Sequence, residues 1–183
     1  MSDGTVHNFI PRYVEPRKFA RQRVDLEGFI PVEACIRLGS VVEAINELQA
    51  TLSFDISDEG QFCMTGSVSA NLDLLCQRCL EPFPRDTEVK LNLAVVWNED
   101  GVKQLPGHYE PWIACEESAD LYSIIEEELL LSLPAAAYHS ADCVDASLFS
   151  AGPGDKAAET QSSGDKKKNP FQVLEQLKGS GKN

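Results

Sequence analysis

FCMTGSVSANLDL (Phe62–Leu74) alternates residue by residue. Phe62, Met64, Gly66, Val68, Ala70, Leu72 and Leu74 fall on one side, and the residues between them are mostly polar. Alternation of this kind places one face of an extended strand in a core and the other towards water. A turn, SDEG (Ser57–Gly60), precedes the run, and before it Leu52, Phe54 and Ile56 alternate in the same way. Beyond it, Val89, Leu91, Leu93, Val95 and Trp97 form a third alternating run. Three such runs in succession predict an antiparallel sheet.

Helical signals flank these strands. Ser40 and Glu43 have the spacing of a capping box, and Val41, Ala44, Ile45 and Leu48 then share a helical face, so a short helix is expected over Ser40–Leu48. DLYSIIEEELLLSL (Asp120–Leu133) offers Asp120 as N-cap and a stripe of Leu121, Ile124, Ile125 and Leu129, and Pro134 stops it. Its acidic triplet, Glu126–Glu128, reads as a solvated helix face. PWIAC (Pro111–Cys115), opening on proline, reads as a short edge strand. The expected fold class is α+β: an antiparallel β-sheet core with a few packing helices, a disordered linker and a short C-terminal helix. Residues 1–149 read as one domain with a basic N-terminal segment, and 150–168, rich in Gly, Ser, Ala and charge, as a flexible linker. Residues 169–183 read as a short amphipathic segment, with Asn169 as N-cap, Pro170 at the first helical position, and Phe171, Leu174 and Leu177 on a face that docks on a partner or folds back.

The chain of 183 residues carries a net charge of −13, which on average repels nucleic acid. Two segments run against that average. PRYVEPRKFARQR (Pro11–Arg23) sets Arg12, Arg17, Lys18, Arg21 and Arg23 against the single acid Glu15, and Lys166, Lys167 and Lys168 precede the C-terminal segment. Such clusters are either solvated faces or contacts to RNA phosphates, for which Arg17, Lys18, Arg21, Arg23 and the three lysines are the candidates. No apolar run approaches the roughly 18 residues of a membrane span. The first residues lack the charged-then-apolar pattern of a secretory signal, so a soluble intracellular protein with reduced cysteines is expected.

CQRC (Cys76–Cys79) lies in the connection between the second and third alternating runs. Its spacing is that of one zinc knuckle. A zinc site needs about four ligands, and HSADC supplies His139 and Cys143 four residues apart. Cys76, Cys79, His139 and Cys143 therefore form a candidate Cys3His zinc set that would clip the inter-strand connection to the segment after the long helix. Two other readings stand beside it: structural thiols without metal, and a redox dithiol. The last usually places CxxC at a helix start after a parallel strand, a context these flanks do not offer. Cys35, Cys63 and Cys115 read as core or sheet residues. No nucleophile elbow, phosphate loop or dinucleotide fingerprint is present, and nothing in the sequence asks for catalysis.

The basic opening PRKFARQRVDLEGFIPV, LLCQRCLEPF, LPGHYEPW, DLYSIIEEELLLSLP with His139 and Cys143, and the terminal NPFQVLEQLK occur in an order that resembles the YceD family, the large ribosomal RNA subunit accumulation proteins. CQRCLEPF and the NPF tail are the most specific of these. The resemblance implies a cytoplasmic, non-enzymatic ribosome-biogenesis factor promoting synthesis, processing or stability of large-subunit ribosomal RNA. It would meet that RNA or its precursor directly or through ribosomal proteins, with no membrane partner. A protein-interaction adaptor that never touches RNA, and a thiol or metal-binding protein built on Cys76 and Cys79, are the alternative classes.

Overall fold

The computed structural model describes residues 8–145. Within it, β1 (Tyr13–Val14), α1 (Pro16–Gln22), β2 (Asp25–Phe29) and α2 (Ile36–Gly39) lead into three long strands, β3 (Ala44–Ile56), β4 (Phe62–Leu75) and β5 (Pro82–Val96). A single turn α3 (Glu99–Val102), β6 (Glu110–Ile113), β7 (Ala119–Asp120) and α4 (Leu121–Ser132) follow. The main sheet has the order β2-β3-β4-β5-β6, and β1 pairs with β7 apart from it. The fold is α+β, as expected from the sequence.

The three alternating runs are the three central strands, paired antiparallel in register, for example Leu52 opposite Gly66 and Val68 opposite Val89. Leu48, Leu52, Phe54, Met64, Val68, Leu72 and Leu93 are fully buried and form the centre of the core. Gly66, with φ +148°, is required by a close approach: a Cβ there would lie 2.0 Å from the Thr51 carbonyl oxygen. Helix α1 packs over β3 and β4, with the Phe19 ring edge-on to Phe54 at 5.5 Å, and α4 packs over β5. Asp120 caps α4 by accepting from the Tyr122 and Ser123 amides, and extended Leu133 ends it before Pro134.

Four expectations are corrected. The helix expected over Ser40–Leu48 is absent: Ser40 closes α2, and Ala44–Ile56 is a strand. Local capping chemistry lost to tertiary pairing, because this stretch is hydrogen-bonded between β2 and β4 and its Leu48, Ala50, Leu52, Phe54 alternation is buried. Strand β6 is an edge strand, as expected, and it pairs parallel to β5, which the crossover through α3 permits. Trp97 does not continue the buried face of β5; the strand ends at Val96 and Trp97 is 53% exposed. The Glu126–Glu128 triplet is not uniformly solvated. Glu126 is 6% exposed, pairs with Arg37 at 3.0 Å and accepts from the Leu38 amide at 2.9 Å, joining α4 to α2. Cys35 and Cys63 are buried as expected, whereas Cys115 is exposed.

Candidate metal centre

The site is built on the turn that joins β4 to β5. The Cys76 amide donates to the Glu81 carbonyl and the Leu80 amide to the Cys76 carbonyl, closing a tight loop around CQRC. A knuckle of this kind favours glycine after the second cysteine, because that residue adopts a left-handed backbone. Here Leu80 takes that conformation, φ 61°, and the residue is 67% exposed. The chain therefore forms the knuckle turn without the glycine that would signal it.

Helix α4 ends at Ser132, and the following segment returns to this turn. The Gln77 amide donates to the Ala137 carbonyl at 2.9 Å, and the His139 ring packs against Phe83 at 4.8 Å. Arg78, between the two knuckle cysteines, donates to the carbonyls of His139 at 2.8 Å and Ala141 at 3.0 Å. It also pairs with Asp142 at 3.5 Å and lies 5.4 Å from the Tyr138 ring centre. These contacts bring the four sequence candidates together. The ligand atoms of Cys76, Cys79, His139 and Cys143 all lie within 4.8 Å of one another.

The donor set fits a tetrahedral metal ion. With Zn–S near 2.3 Å and Zn–N near 2.0–2.1 Å, the edges of a tetrahedron are about 3.75 Å between sulfurs and about 3.5 Å between sulfur and nitrogen. Cys76 Sγ lies 3.6 Å from Cys143 Sγ, and Cys79 Sγ lies 3.4 Å from His139 Nδ1. The electrostatics favour a thiolate. Burial pushes the Cys76 thiol up, but amides of Cys79, His139 and Arg78 and the Cys143 thiol point at its sulfur and bring it from 9.0 down to about 5. Cys143 moves the other way, to about 11, through burial and its contacts with the Cys76 and Cys79 sulfurs. Cys76 and Cys143 are thus shifted in opposite directions, and a bound cation would favour the thiolate at both. A redox dithiol is served less well, because the turn belongs to an antiparallel hairpin rather than to a helix start.

The other candidates are dispersed. Lys18, Arg21 and Arg23 are exposed on α1 and at its exit; Lys18 pairs with Glu15 at 3.1 Å and Arg23 with Asp55 at 3.1 Å. Arg17 is 9% exposed and turned inward, donating to the Ala114 carbonyl at 3.0 Å. Its guanidinium lies 3.3 Å from the centre of the Trp97 ring. Lys166, Lys167, Lys168, Phe171, Leu174 and Leu177, with the linker and the C-terminal segment, lie outside the described residues. Sequence reasoning missed Arg78, Leu80 and Trp97. Arg78 carried a signal, a cation enclosed between two candidate ligands; the other two carried none.

A family model described as "Large ribosomal RNA subunit accumulation protein YceD" matches residues 64–178, a span that includes all four candidate ligands. A protein of Haemophilus influenzae with the same description is 36% identical over 176 residues, covering 92% of this chain and 96% of the relative. No solved structure matches the chain. No helix among the described residues is long and apolar enough to cross a membrane. With a family match over most of its length and a relative aligned almost end to end, the chain belongs to the YceD family of large ribosomal RNA subunit accumulation proteins.

Proposed function

We propose that this protein acts in the cytoplasm as a non-enzymatic factor that promotes accumulation of large-subunit ribosomal RNA, contacting that RNA through the basic face of α1. The role follows from the family name of its relatives. The observation that carries the direct contact is the run of exposed cations Lys18, Arg21 and Arg23, of which Arg21 makes no ion pair with a described residue. Arg17 is turned inward to Ala114 and Trp97, and Lys166, Lys167 and Lys168 are further candidate cations in the sequence. Zinc held by Cys76, Cys79, His139 and Cys143 would have a structural part. A full set of four protein ligands leaves no position for substrate or water, as in structural rather than catalytic sites. Reversing Lys18, Arg21 and Arg23 to Glu should weaken binding to ribosomal RNA and flatten its dependence on salt; unchanged affinity and slope would refute the contact.

A second reading is favoured by the groove between β6 and α4. Glu110, Glu127 and Glu128 line it together with exposed Ile113 and Leu131. Burial, then the charge of Glu110 and a hydrogen bond to it, raise Glu128 to about 7. A basic, amphipathic segment of a ribosomal protein would relieve that repulsion, making the protein an adaptor. Partners recovered from cells that survive RNase treatment and are lost in Glu110→Lys/Glu127→Lys would support this reading.

A further inference from the structure

Trp97 follows the last residue of β5 and is 53% exposed, while the other tryptophan, Trp112, is buried at 5%. The exposed indole is held. Arg17 stacks on it at 3.3 Å and is itself fixed by its bond to the Ala114 carbonyl. The second terminal nitrogen of Arg17, Nη1, is buried with no hydrogen-bond partner. Arg17 and Trp97 line one groove with Phe62, Asn98, Gly101 and Gln104. Arg21 reaches the edge of that groove, 5.2 Å from the Phe62 ring centre. The acid of the groove, Asp100, is paired with Lys103 at 2.8 Å.

We propose that Trp97, backed by Arg17, is a stacking platform for one unpaired RNA base, and that Arg21 takes the neighbouring phosphate. The inference deepens the direct-contact reading above and rests on it. Single-stranded RNA is gripped by aromatic faces beside guanidinium groups, because every base offers a π-face and every nucleotide an anion. A guanidinium on one side of an indole fixes the ring before binding, so little freedom is lost when a base covers the other side. A peptide stacks only where it carries an aromatic side chain, whereas every nucleotide brings both a π-face for Trp97 and a phosphate for Arg21, which is why RNA fits better.

The test uses the full chain, fluorescein-labelled single-stranded oligoadenylate and oligouridylate of about twelve nucleotides, and two readouts: anisotropy of the label and quenching of tryptophan emission. Wild type should bind with quenching. Trp97→Leu should bind about 10-fold more weakly and lose the quenching. Trp97→Phe, which keeps a ring over Arg17, should retain most of the affinity, and thermal melts of both variants report whether the fold is kept. RNA bound equally well by Trp97→Leu would overturn the platform and leave direct contact through α1 standing. No RNA bound by any form would overturn both. Capture of an RNase-resistant protein that Trp97→Leu alone abolishes would assign the face to a protein instead.

Discussion

Arg78 donates to the backbone carbonyl of His139 at 2.8 Å, so a side chain within the knuckle holds the backbone of the segment that supplies the remaining ligands. The same terminal nitrogen reaches the Ala141 carbonyl at 3.0 Å. The two halves of the cluster come from residues some sixty positions apart in the chain, and this guanidinium, with the Gln77 amide on the Ala137 carbonyl, ties the second half to the first.

Arg78→Met keeps the aliphatic stem and removes both bonds. It should lower unfolding stability by about 1–2 kcal/mol and weaken zinc affinity by about 10-fold, because the ligating segment is no longer oriented. Denaturant titration and competition with a chromophoric chelator measure the two effects separately. A variant with unaltered zinc affinity would show that the ligands alone define the site.

Leu80 carries positive φ without a glycine's freedom, and its exposed side chain contributes little packing. Leu80→Gly should leave stability unchanged or raise it by up to about 1 kcal/mol, the relief of the left-handed backbone being partly offset by the entropy of the unfolded chain. Leu80→Val, β-branched, should lose more than about 1 kcal/mol. The reverse order in denaturant melts would mean that the turn is not a knuckle.

Gly66 sits against the backbone of the neighbouring strand, and a methyl group there meets the Thr51 carbonyl oxygen and the Leu52 Cα. Gly66→Ala should cost about 3 kcal/mol or more, because neither contact is a flexible side chain that can move aside. A drop of less than about 1 kcal/mol in chemical denaturation would contradict the close pairing of β3 with β4.

The folded chain keeps a proton on Glu128 up to about pH 7, whereas the ordinary value for this carboxyl is 4.5. The folded state therefore binds the extra proton between those values, and stability falls as pH rises through that interval. Glu128→Gln removes the fall. Its melting temperature should exceed wild type at about pH 8 and match it near pH 4.5. Equal pH dependence of the two proteins in thermal melts would exclude the Glu110–Glu128 pairing.

The three long strands were legible because each repeats its alternation over many residues, and the cap and stop of α4 because Asp120 and Pro134 act locally. What was hidden depended on distant neighbours. The capping box at Ser40 and Glu43 is a genuine local preference, overridden by pairing on both sides of Ala44–Ile56. The inward turn of Arg17 depends on Trp97 and Ala114, and the burial of Glu126 on Arg37 and Leu38. For the cluster, residue types and spacing identified all four members, but only the fold brings Cys143 beside Cys76. Leu80 shows that the knuckle turn forms without the glycine that its left-handed position favours, so residue type at that position hid the turn.

Cys76, Cys79, His139 and Cys143 are placed to hold one metal ion, which would clip the β4–β5 turn to the segment after α4. Elemental analysis of the full chain, purified under reducing conditions with zinc supplied, tests it most directly when paired with denaturation before and after chelation. The account predicts one zinc per chain, absent from Cys76→Ser and Cys143→Ser, and a stability loss on chelation of about 4 kcal/mol where free zinc stands about a thousandfold above its Kd. Protein without stoichiometric metal, and unfolding that chelation does not move, would contradict it.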